Sequence, residues 1–456
     1  MSAATSRPHI VFILTDDQAP TAAGFAGNTE LQTPHLDRIA REGMTLTNSF
    51  VVTPVCSPSR ASLVTSRFGS ELGIIDWINP NSEPEHGLDP KTVTWPELLH
   101  DAGYRTGLFG KWHLGTQDRF HPTRVGYESF VGIRDGGCPS RGATVEVAGK
   151  PVKQEGYTAD VFTDHALQFI QERDDRPFLC SLHFREPHSP WLPMREEDWE
   201  PYSELDPTLP DPDFPNLQVD KVKRMTREYY GSVASIDRNV GRVLALLDEL
   251  GIAENTLVIF TSDHGYHNGH HGLWFKGNAQ WMTNPSPPQE WRDIGPRQRP
   301  NLYDQALRVP TAVRWPRIIA PGGVLTRTVT NLDWYPTLLA AADVPLPDGV
   351  KIHGHSLLPL LQGAEVEWDD SFYCEYSMRH GATVDMRALR TPEWKLMIDF
   401  HHPGRAELYD LGNDPGETTN LIGSVRSDAQ AAREDLEARL RARMKSIGDF
   451  AGKTPE

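Results

Sequence analysis

Two short apolar runs stand out along the chain. Residues 9–15, HIVFILT, and residues 256–262, TLVIFTS, are rich in β-branched side chains and are followed directly by charged residues. Runs of this length are typical of strands that are buried on both faces of a parallel sheet. Residues 35–43, 95–103 and 235–251 instead carry apolar positions at helical spacing. This alternation predicts an α/β fold with a large, mostly parallel central sheet flanked by helices.

The pattern changes near the C-terminus. The segments SFYCEYS, DMRALRT and EWKLMIDF indicate short antiparallel strands, and a helix is expected near residues 427–446. We therefore predict a large domain over residues 1–364 and a smaller domain of antiparallel sheet plus helix over residues 365–456. Two polar, proline-rich stretches, residues 195–220 and 281–300, interrupt the larger domain, and the second is interpreted as an insertion.

Composition narrows the classes of partner. A net charge of −17 over 456 residues argues against binding of nucleic acid or of an anionic membrane. No run of about 18 apolar residues is present, so no membrane span is expected. The first residues lack the features of a signal peptide, which favours a cytoplasmic location; if a leader had been removed, a periplasmic or secreted location would fit equally. Widely spaced cysteines argue against a disulfide framework and a zinc knuckle; they are Cys56, Cys138, Cys180 and Cys374.

Acidic residues follow both of the predicted core strands. Asp16 and Asp17 come directly after the first, and Asp263 with His264 comes after the second. Open parallel sheets place their ligand sites at the carboxyl ends of the strands. The adjacent pair alone is better explained as a helix cap and a solvated acid. Three carboxylates that converge from two strands instead suit a hard divalent cation such as calcium or magnesium.

The histidine-rich stretch HGYHNGHH, residues 264–271, suggests zinc at first sight. It lacks the helical i, i+4 pairing of an HExxH motif, and its two glycines indicate a loop. Hydrogen bonding within the loop, or contact with a substrate, is therefore favoured over zinc binding.

The segment TPVCSPSRASL, residues 53–63, places a cysteine at a predicted helix start. Pro58 fits the first turn, because its missing N–H costs no hydrogen bond there. Arg60 falls on the same face as Cys56, one turn later. The helix N-terminus and the guanidinium both favour negative charge at Cys56, as in a reactive thiolate. A partly buried capping cysteine fits the local sequence equally well, so both interpretations stay open.

Four further side chains lie in segments bounded by glycine or proline. They are Lys111 and His113 in GKWHLG, His188 in REPHSP, and Lys276 in HGLWFKG. Each alone is a weak signal, and a solvated loop is the usual position of such a lysine. Together they supply the positive charge and the proton-transfer groups that an anionic ester requires.

The order of these blocks resembles that of the formylglycine-dependent sulfatases of the alkaline phosphatase superfamily. The matching blocks run from about residue 8 to residue 422; they are DDQ, TPHLDRIAREG, CSPSRASLVTSR, GKWHLG, PHSP, SDHG, HGLWFK, LYDQALRVP and ELYDLGNDPGETTNL. CSPSR fits the family's Cys-x-Pro-x-Arg maturation signature. The resemblance implies an alkaline phosphatase-like fold with a catalytic larger domain, and a sulfuric ester hydrolase activity.

The resemblance also implies roles for individual residues. Cys56 would be oxidised after translation to formylglycine by a formylglycine-generating enzyme, and its hydrated aldehyde would be the nucleophile. One calcium ion would be bound by the modified Cys56 together with Asp16, Asp17, Asp263 and His264. Many relatives carry Asn in place of His264, a departure that bears on metal ligation. In the same scheme Arg60 would hold the hydrated aldehyde, Lys111 and Lys276 would contact sulfate oxygens, His113 would act on the covalent intermediate, and His188 would help to protonate the leaving oxygen.

The expected substrate is a sulfated carbohydrate, either a small molecule or an oligosaccharide, because GKWHLG and ELYDLGNDPGETTNL resemble blocks of polysaccharide-desulfating relatives. A phosphonate monoester or phosphodiester hydrolase on the same scaffold is the enzymatic alternative. A non-catalytic glycan-binding relative is a third hypothesis, which the complete residue set disfavours. Several tryptophans near these blocks would suit stacking on a sugar, although packing is expected for most; they are Trp77, Trp191, Trp274, Trp281 and Trp291. The sequence does not indicate an oligomeric state.

Overall fold

The computed structural model describes residues 7–285 and 297–451 of the chain. Its strands, in chain order, are β1 (His9–Thr15), β2 (Met44–Leu46), β3 (Ser49–Phe50), β4 (Arg105–Lys111), β5 (Ser129–Ile133), β6 (Thr144–Val147), β7 (Lys150–Lys153), β8 (Phe178–His183), β9 (Thr256–Ser262), β10 (Leu273–Trp274), β11 (Asn278–Trp281), β12 (Gln298–Pro300), β13 (Thr311–Arg314), β14 (Gly323–Leu325), β15 (Val329–Thr330), β16 (Phe372–Tyr376), β17 (Met386–Arg390), β18 (Trp394–Asp399) and β19 (Glu407–Asp410). Its helices are α1 (Pro34–Arg41), α2 (Cys56–Thr65), α3 (Gly69–Leu72), α4 (Trp95–Asp101), α5 (Thr158–Gln171), α6 (Glu196–Ser203), α7 (Val219–Glu249), α8 (Asp304–Leu307), α9 (Trp334–Ala341), α10 (Leu358–Leu361) and α11 (Ser427–Ile447).

Ten of these strands form one central sheet, in the order β14-β2-β13-β9-β1-β8-β4-β5-β6-β7. β1 lies inside the sheet and runs parallel to both neighbours, with Ile13 opposite Phe260 on one side and opposite Leu182 on the other. β4 and β5 continue the parallel run. Antiparallel pairs occur only toward the two edges. The predicted large, mostly parallel sheet is confirmed.

Alternate residues of β1 enter different hydrophobic cores. Ile10, Phe12 and Leu14 pack with α4 and α9, whereas Val11 and Ile13 pack with α1, α5 and α7. Because helices cover both faces, neither set of side chains meets water, and the strand shows a continuous apolar run in the sequence. The bounds predicted from the apolar runs, residues 9–15 and 256–262, are those observed for β1 and β9.

The helical pattern at residues 235–251 is the second half of α7, which begins earlier and has 31 residues. Its first half packs through Tyr229 and Tyr230 in a separate cluster and was not recognised from the sequence pattern. Within the described ranges, no helix combines the length and the apolar character that a membrane crossing needs.

The C-terminal strands form an antiparallel sheet in the order β16-β17-β18-β19. Leu396 and Leu408 on one face of this sheet pack in the same core as Leu436 and Leu440 of α11. The three predicted strands and the helix are confirmed. β19, with the short sequence ELYD, was not recognised from the pattern.

The opposite face of this sheet shares a core with the larger part of the chain. Cys374 and Met397 of the C-terminal sheet pack in one cluster with Phe50 and Val55. The hydrophobic contact thus crosses the predicted division between residues 364 and 365. That boundary stays a prediction.

A buried ion cluster joins the same two parts. The Nζ of Lys395 in β18 lies 2.8 Å from Asp304 Oδ1 and 2.7 Å from Glu417 Oε1. Arg390 Nε donates to the same Asp304 carboxylate at 3.0 Å. Lys395 has no exposed surface, so its charge depends on these carboxylates for compensation.

We expect Lys395→Met to lower the free energy of unfolding by about 3–5 kcal/mol, because the buried carboxylates of Asp304 and Glu417 lose their shared cation. Urea denaturation followed by tryptophan fluorescence measures the change. Lys445→Met, at an exposed position of α11, is the matched control; its effect should stay below about 0.5 kcal/mol. Equal losses in the two variants would contradict the role of the cluster.

Candidate active site

The carboxyl ends of β1 and β9 bring their acidic residues together. Asp16 and Asp17 follow β1, and Asp263 and His264 follow the neighbouring parallel strand β9. The Asp263 N–H donates to the Thr15 carbonyl at 2.9 Å, so the two strand ends stay paired up to the site. All four side chains are at most 2% exposed. The structure therefore places side by side the acidic residues that the sequence put at two strand ends.

Four ligand atoms of this cluster are close enough to share a cation. One atom each from Asp16, Cys56, Asp263 and His264 lies within 4.8 Å of the others, and the described part of the chain holds no second group of this kind. Asp263 Oδ1, His264 Nε2 and Asp17 Oδ2 are buried without a hydrogen-bond partner there. Such atoms are rare in folded proteins. An oxygen-rich donor set fits a hard cation such as calcium or magnesium better than zinc.

Each carboxylate is also paired with one basic side chain. Lys111 contacts Asp16, Lys276 Nζ lies 2.7 Å from Asp17 Oδ1, and Arg60 Nε lies 2.8 Å from Asp263 Oδ2. Charges of both signs thus balance within a buried volume, where an uncompensated charge is strongly unfavourable. Lys111 ends β4 and is fully buried, so the usual position of such a lysine in a solvated loop does not apply.

This pairing sets the pKa values of the cluster. Burial raises the pKa of Asp263 to about 6, and the neighbouring Asp16 charge adds to the effect. Burial acts on Asp16 as well, but nearby cations, Lys111 first, outweigh it and hold the pKa of Asp16 well below its ordinary value. Burial disfavours charge on His264, yet Asp263 outweighs it and raises the pKa of His264 to about 10. A ligating histidine must be neutral, so a cation would displace that proton.

Cys56 is the first residue of α2 and lies in the same cluster. Its Sγ is 3.1 Å from Lys276 Nζ and 3.8 Å from Asp16 Oδ1, and the residue is 3% exposed. Burial and Asp16 raise the pKa of the Cys56 thiol, but Lys111, Lys276 and His113 outweigh them and hold it well below its ordinary value. Cys56 is thus buried at a helix start, but among ionic groups, as a reactive residue would be.

Polar side chains anchor α2, whose ten residues are all buried. The Ile78 N–H donates to Ser57 Oγ at 3.0 Å, and Ser59 Oγ donates to the Asp263 carbonyl. Asn331 Nδ2 donates to the Ser59 carbonyl at 3.2 Å. Ser59 and Asn331 were not identified from the sequence. The serine-rich pattern CSPSRAS was the one signal in the sequence for Ser59.

Arg60 lies one turn into α2 and connects two strand ends. Besides its contact with Asp263, its Nη1 donates to the Lys111 carbonyl at 2.8 Å. Its Nη2 is buried and has no hydrogen-bond partner among the described residues. Arg60 therefore positions Asp263 and Lys111 and keeps one donor for a ligand.

The two predicted proton-transfer histidines lie on different sides of the cluster. His113 Nε2 lies 3.1 Å from the Ile78 carbonyl, and burial together with Lys111 lowers the pKa of His113. His188 Nε2 lies 3.9 Å from Asp17 Oδ2, and 28% of its side chain is exposed. Burial lowers the pKa of His188 as well, against the opposing Asp17 and Asp16 charges. Both are neutral near pH 7, and His188 faces the open side.

Tyr229 of α7 holds the turn that carries Asp17. Its hydroxyl donates to the Asp17 carbonyl and accepts from the Ala19 N–H, both at 2.8 Å. Asp17 has a φ of 71°, in the left-handed region that non-glycine residues rarely adopt. The sequence gives no indication of this role, because Tyr229 lies on a distant helix.

Apart from His264, the histidines of the histidine-rich stretch do not belong to the group that could hold a cation. His267 Nε2 lies 3.1 Å from Asn301 Oδ1, and His271 Nε2 lies 2.8 Å from the Gly416 carbonyl. These two histidines form hydrogen bonds with neighbouring residues, which is the role that the sequence favoured over zinc binding.

Most of the candidate stacking tryptophans are packing residues. Trp191, Trp274 and Trp281 are at most 8% exposed and lie in hydrophobic clusters. Trp77 is partly exposed. Trp291 lies outside the described residues.

The cluster combines carboxylates that could hold a cation, a cysteine at a helix start, and buried lysines beside it. This arrangement, on this fold, is typical of enzymes that act on anionic esters. The family model described as sulfatase matches residues 8–344, and a second, described as N-sulphoglucosamine sulphohydrolase, C-terminal, matches residues 297–446. The chain belongs to the sulfatase family and is a sulfuric ester hydrolase.

Curated relatives match nearly the whole chain. The N-acetylglucosamine-6-O-sulfatase of Bacteroides thetaiotaomicron is 26% identical over 507 residues, covering 92% of this chain and 84% of that protein. The ulvan-active sulfatase of Formosa agariphila is 28% identical over 461 residues, with 97% and 82% covered. Human arylsulfatase A is 29% identical over 490 residues, with 94% and 86% covered. A solved structure in complex with its substrate D-glucosamine-2-N,6-O-disulfate shares the fold, with a TM-score of 0.83, 24% identity, and 98% and 100% of the two chains covered.

We expect Tyr229→Phe to weaken divalent-cation binding about tenfold, because loss of the hydroxyl leaves two backbone groups of the Asp17 turn without a partner. Isothermal titration of calcium into the purified protein measures the change. Tyr230→Phe is the matched control on the same helix, since its hydroxyl accepts from Asn28 instead. An unchanged calcium affinity in Tyr229→Phe would show that the turn holds without it.

Proposed function

We propose that this sulfatase removes sulfate from a sulfated carbohydrate, using a formylglycine formed from Cys56 and one bound calcium ion. The observation that carries the proposal is the position of Cys56 Sγ, 3.1 Å from Lys276 Nζ and within the cation-binding group. The names of two relatives, an N-acetylglucosamine-6-O-sulfatase and an ulvan-active sulfatase, support the substrate class.

The calcium ion would be held by Asp16, Asp17, Asp263 and His264 together with the side chain at position 56. When bound, it would supply positive charge that draws the anionic ester to the nucleophile and stabilises charge in the transition state. The unpartnered buried atoms of Asp17, Asp263 and His264 support this assignment.

Lys111 and Lys276 would bind the sulfate oxygens. Both ammonium groups lie next to position 56, and both now compensate carboxylates, Asp16 and Asp17. A cation at the carboxylates would take over that compensation, and the two lysines would then be available to the ester. Arg60, with its free Nη2, would hold the hydrated aldehyde.

The two histidines would move protons. His113 is neutral near pH 7 and close to Cys56, so it would accept a proton from the modified residue. His188 lies on the open side, where the alcohol leaves, and would help to protonate the leaving oxygen.

Formylglycine fits this position better than the unmodified thiol. A hydrated aldehyde carries two hydroxyl groups, so one can attack sulfur and the other can expel sulfate, whereas a thiol offers no second group. Maturation requires a formylglycine-generating enzyme as a partner, with CSPSR as the segment that it reads.

We expect the tryptic peptide of residues 42–60, from protein produced together with a formylglycine-generating enzyme, to show loss of H2S and gain of one oxygen at Cys56. The converted protein should hydrolyse p-nitrophenyl sulfate faster than the corresponding phenylphosphonate and phosphodiester. Cys56→Ala should lower the rate by at least about 10³-fold. An active protein with only unmodified thiol would contradict the nucleophile, and faster turnover of the phosphorus esters would contradict the sulfatase substrate.

Chelation should abolish activity, and calcium rather than zinc should restore it, because the donor set is oxygen-rich. Calcium should also raise the melting temperature, since it binds the folded state. Asp16→Asn should lose most of the calcium-dependent rise, while Asp118→Asn, whose side chain is 91% exposed, should keep it. Restoration by zinc alone would rule out calcium as the resident ion.

A further inference from the structure

We propose that Trp77, Glu83 and His380 form a subsite that binds the sugar ring next to the sulfate group. These three side chains are called the rim cluster below. The proposal rests on the proposed function and names residues that select the carbohydrate. Trp77 and Glu83 lie between α3 and α4, whereas His380 lies in the loop between β16 and β17, so two distant parts of the chain build the cluster.

The three side chains contact one another and remain accessible. The ring centroids of Trp77 and His380 are 4.4 Å apart. His380 Nε2 lies 3.2 Å from Glu83 Oε2, and these side chains are 22% and 38% exposed. Trp77 is partly exposed, unlike the three other candidate tryptophans that the structure describes.

Asp76 fixes the backbone on both sides of the cluster. Its Oδ2 accepts from the Arg379 N–H at 2.7 Å and from the His380 N–H at 3.1 Å. Its Oδ1 accepts from the Trp77 N–H at 2.9 Å. Asp76 is 6% exposed. One buried carboxylate therefore holds both segments in a fixed relation, as a preformed ligand site requires.

The rim cluster is attached to the catalytic groups through the next residue, Ile78. The Ile78 N–H donates to Ser57 Oγ at the start of α2, and the Ile78 carbonyl lies 3.1 Å from His113 Nε2. Tyr376, at the base of the other segment, directs its hydroxyl toward Asp76 Oδ1 at 3.4 Å. The rim cluster is thus connected to the residues around position 56 through Ile78, and its second segment is held to the first through Asp76.

The chemistry of the rim cluster matches a hydroxyl-bearing sugar ring. An indole offers an apolar surface to the C–H face of a sugar. Because His380 Nε2 faces a carboxylate, that nitrogen carries the proton, and Nδ1 is left as an acceptor for a hydroxyl. Glu83 Oε1 is a second acceptor, and its charge disfavours a second sulfate there. Arg379 does not offset this charge, because its guanidinium pairs with Asp385 at 2.6 Å.

The test compares sugar and aryl esters in the calcium-loaded, converted enzyme. The sugar probe is the faster substrate of N-acetylglucosamine 6-sulfate and galactose 6-sulfate, and p-nitrophenyl sulfate is the aryl probe. His380→Ala should raise KM for the sugar ester about tenfold with a smaller effect on kcat, and should lower the sugar-to-aryl ratio of kcat/KM about tenfold. Trp77→Ala should weaken both esters, because both stack, and Trp77→Phe should recover most of the loss.

His100→Ala is the matched control, since His100 lies on α4 with 44% of its side chain exposed and should leave the ratio unchanged. If Trp77→Ala has a lower melting temperature than the wild-type protein, the test relies on His380→Ala and Trp77→Phe. A ratio within about twofold of wild type in His380→Ala would overturn the subsite. Hydrolysis of the aryl ester by the wild-type protein without hydrolysis of either sugar ester would also overturn the subsite; it would contradict the carbohydrate substrate and leave the sulfatase activity standing. Wild-type failure on every sulfate ester would instead overturn the proposed function.

Discussion

Three carboxylates that are buried at the carboxyl ends of two inner strands of the central sheet constrain most of this structure. Asp16, Asp17 and Asp263 are brought together because β1 and β9 are parallel neighbours. Their mutual repulsion in a buried volume must be compensated. The chain meets this need with basic residues from three separate elements, Lys111 at the end of β4, Arg60 in α2, and Lys276 after β10. The positions of these elements around the strand ends follow from that requirement.

The same requirement explains why α2 is polar and still buried. A helix of ordinary apolar character would leave the Asp263 carbonyl and the Ile78 N–H without partners, whereas Ser59 and Ser57 satisfy them. Cys56 then lies at the helix start, beside the lysines. Stability and the proposed function depend on one set of contacts here, since the lysines that compensate the carboxylates also lie next to Cys56, the proposed nucleophile.

The sequence allowed the sheet and the acidic half of the site to be predicted, because both depend on local pattern. A strand buried on both faces has a continuous apolar run, and a carboxylate at its end can be found by counting. The supporting residues could not be predicted. Tyr229, Asn331 and Ser59 act through contacts made between elements far apart in the chain, and nothing in their own neighbourhood marks them. Lys111 also looked like a loop residue until the position of β4 showed it to be buried.

The C-terminal sheet is firmly attached to the part of the chain that carries the ionic cluster. One of its faces shares a hydrophobic core with residues before α2, and Lys395 ties it to Asp304 through a buried ion pair. These contacts fix where the loop between β16 and β17 emerges. Asp76 holds that loop through backbone N–H groups alone, so the His380 side chain is not needed for this anchoring and contacts Trp77 and Glu83 instead. Under the proposed function, selection among sugars could therefore vary in this loop without any change in the buried ionic cluster.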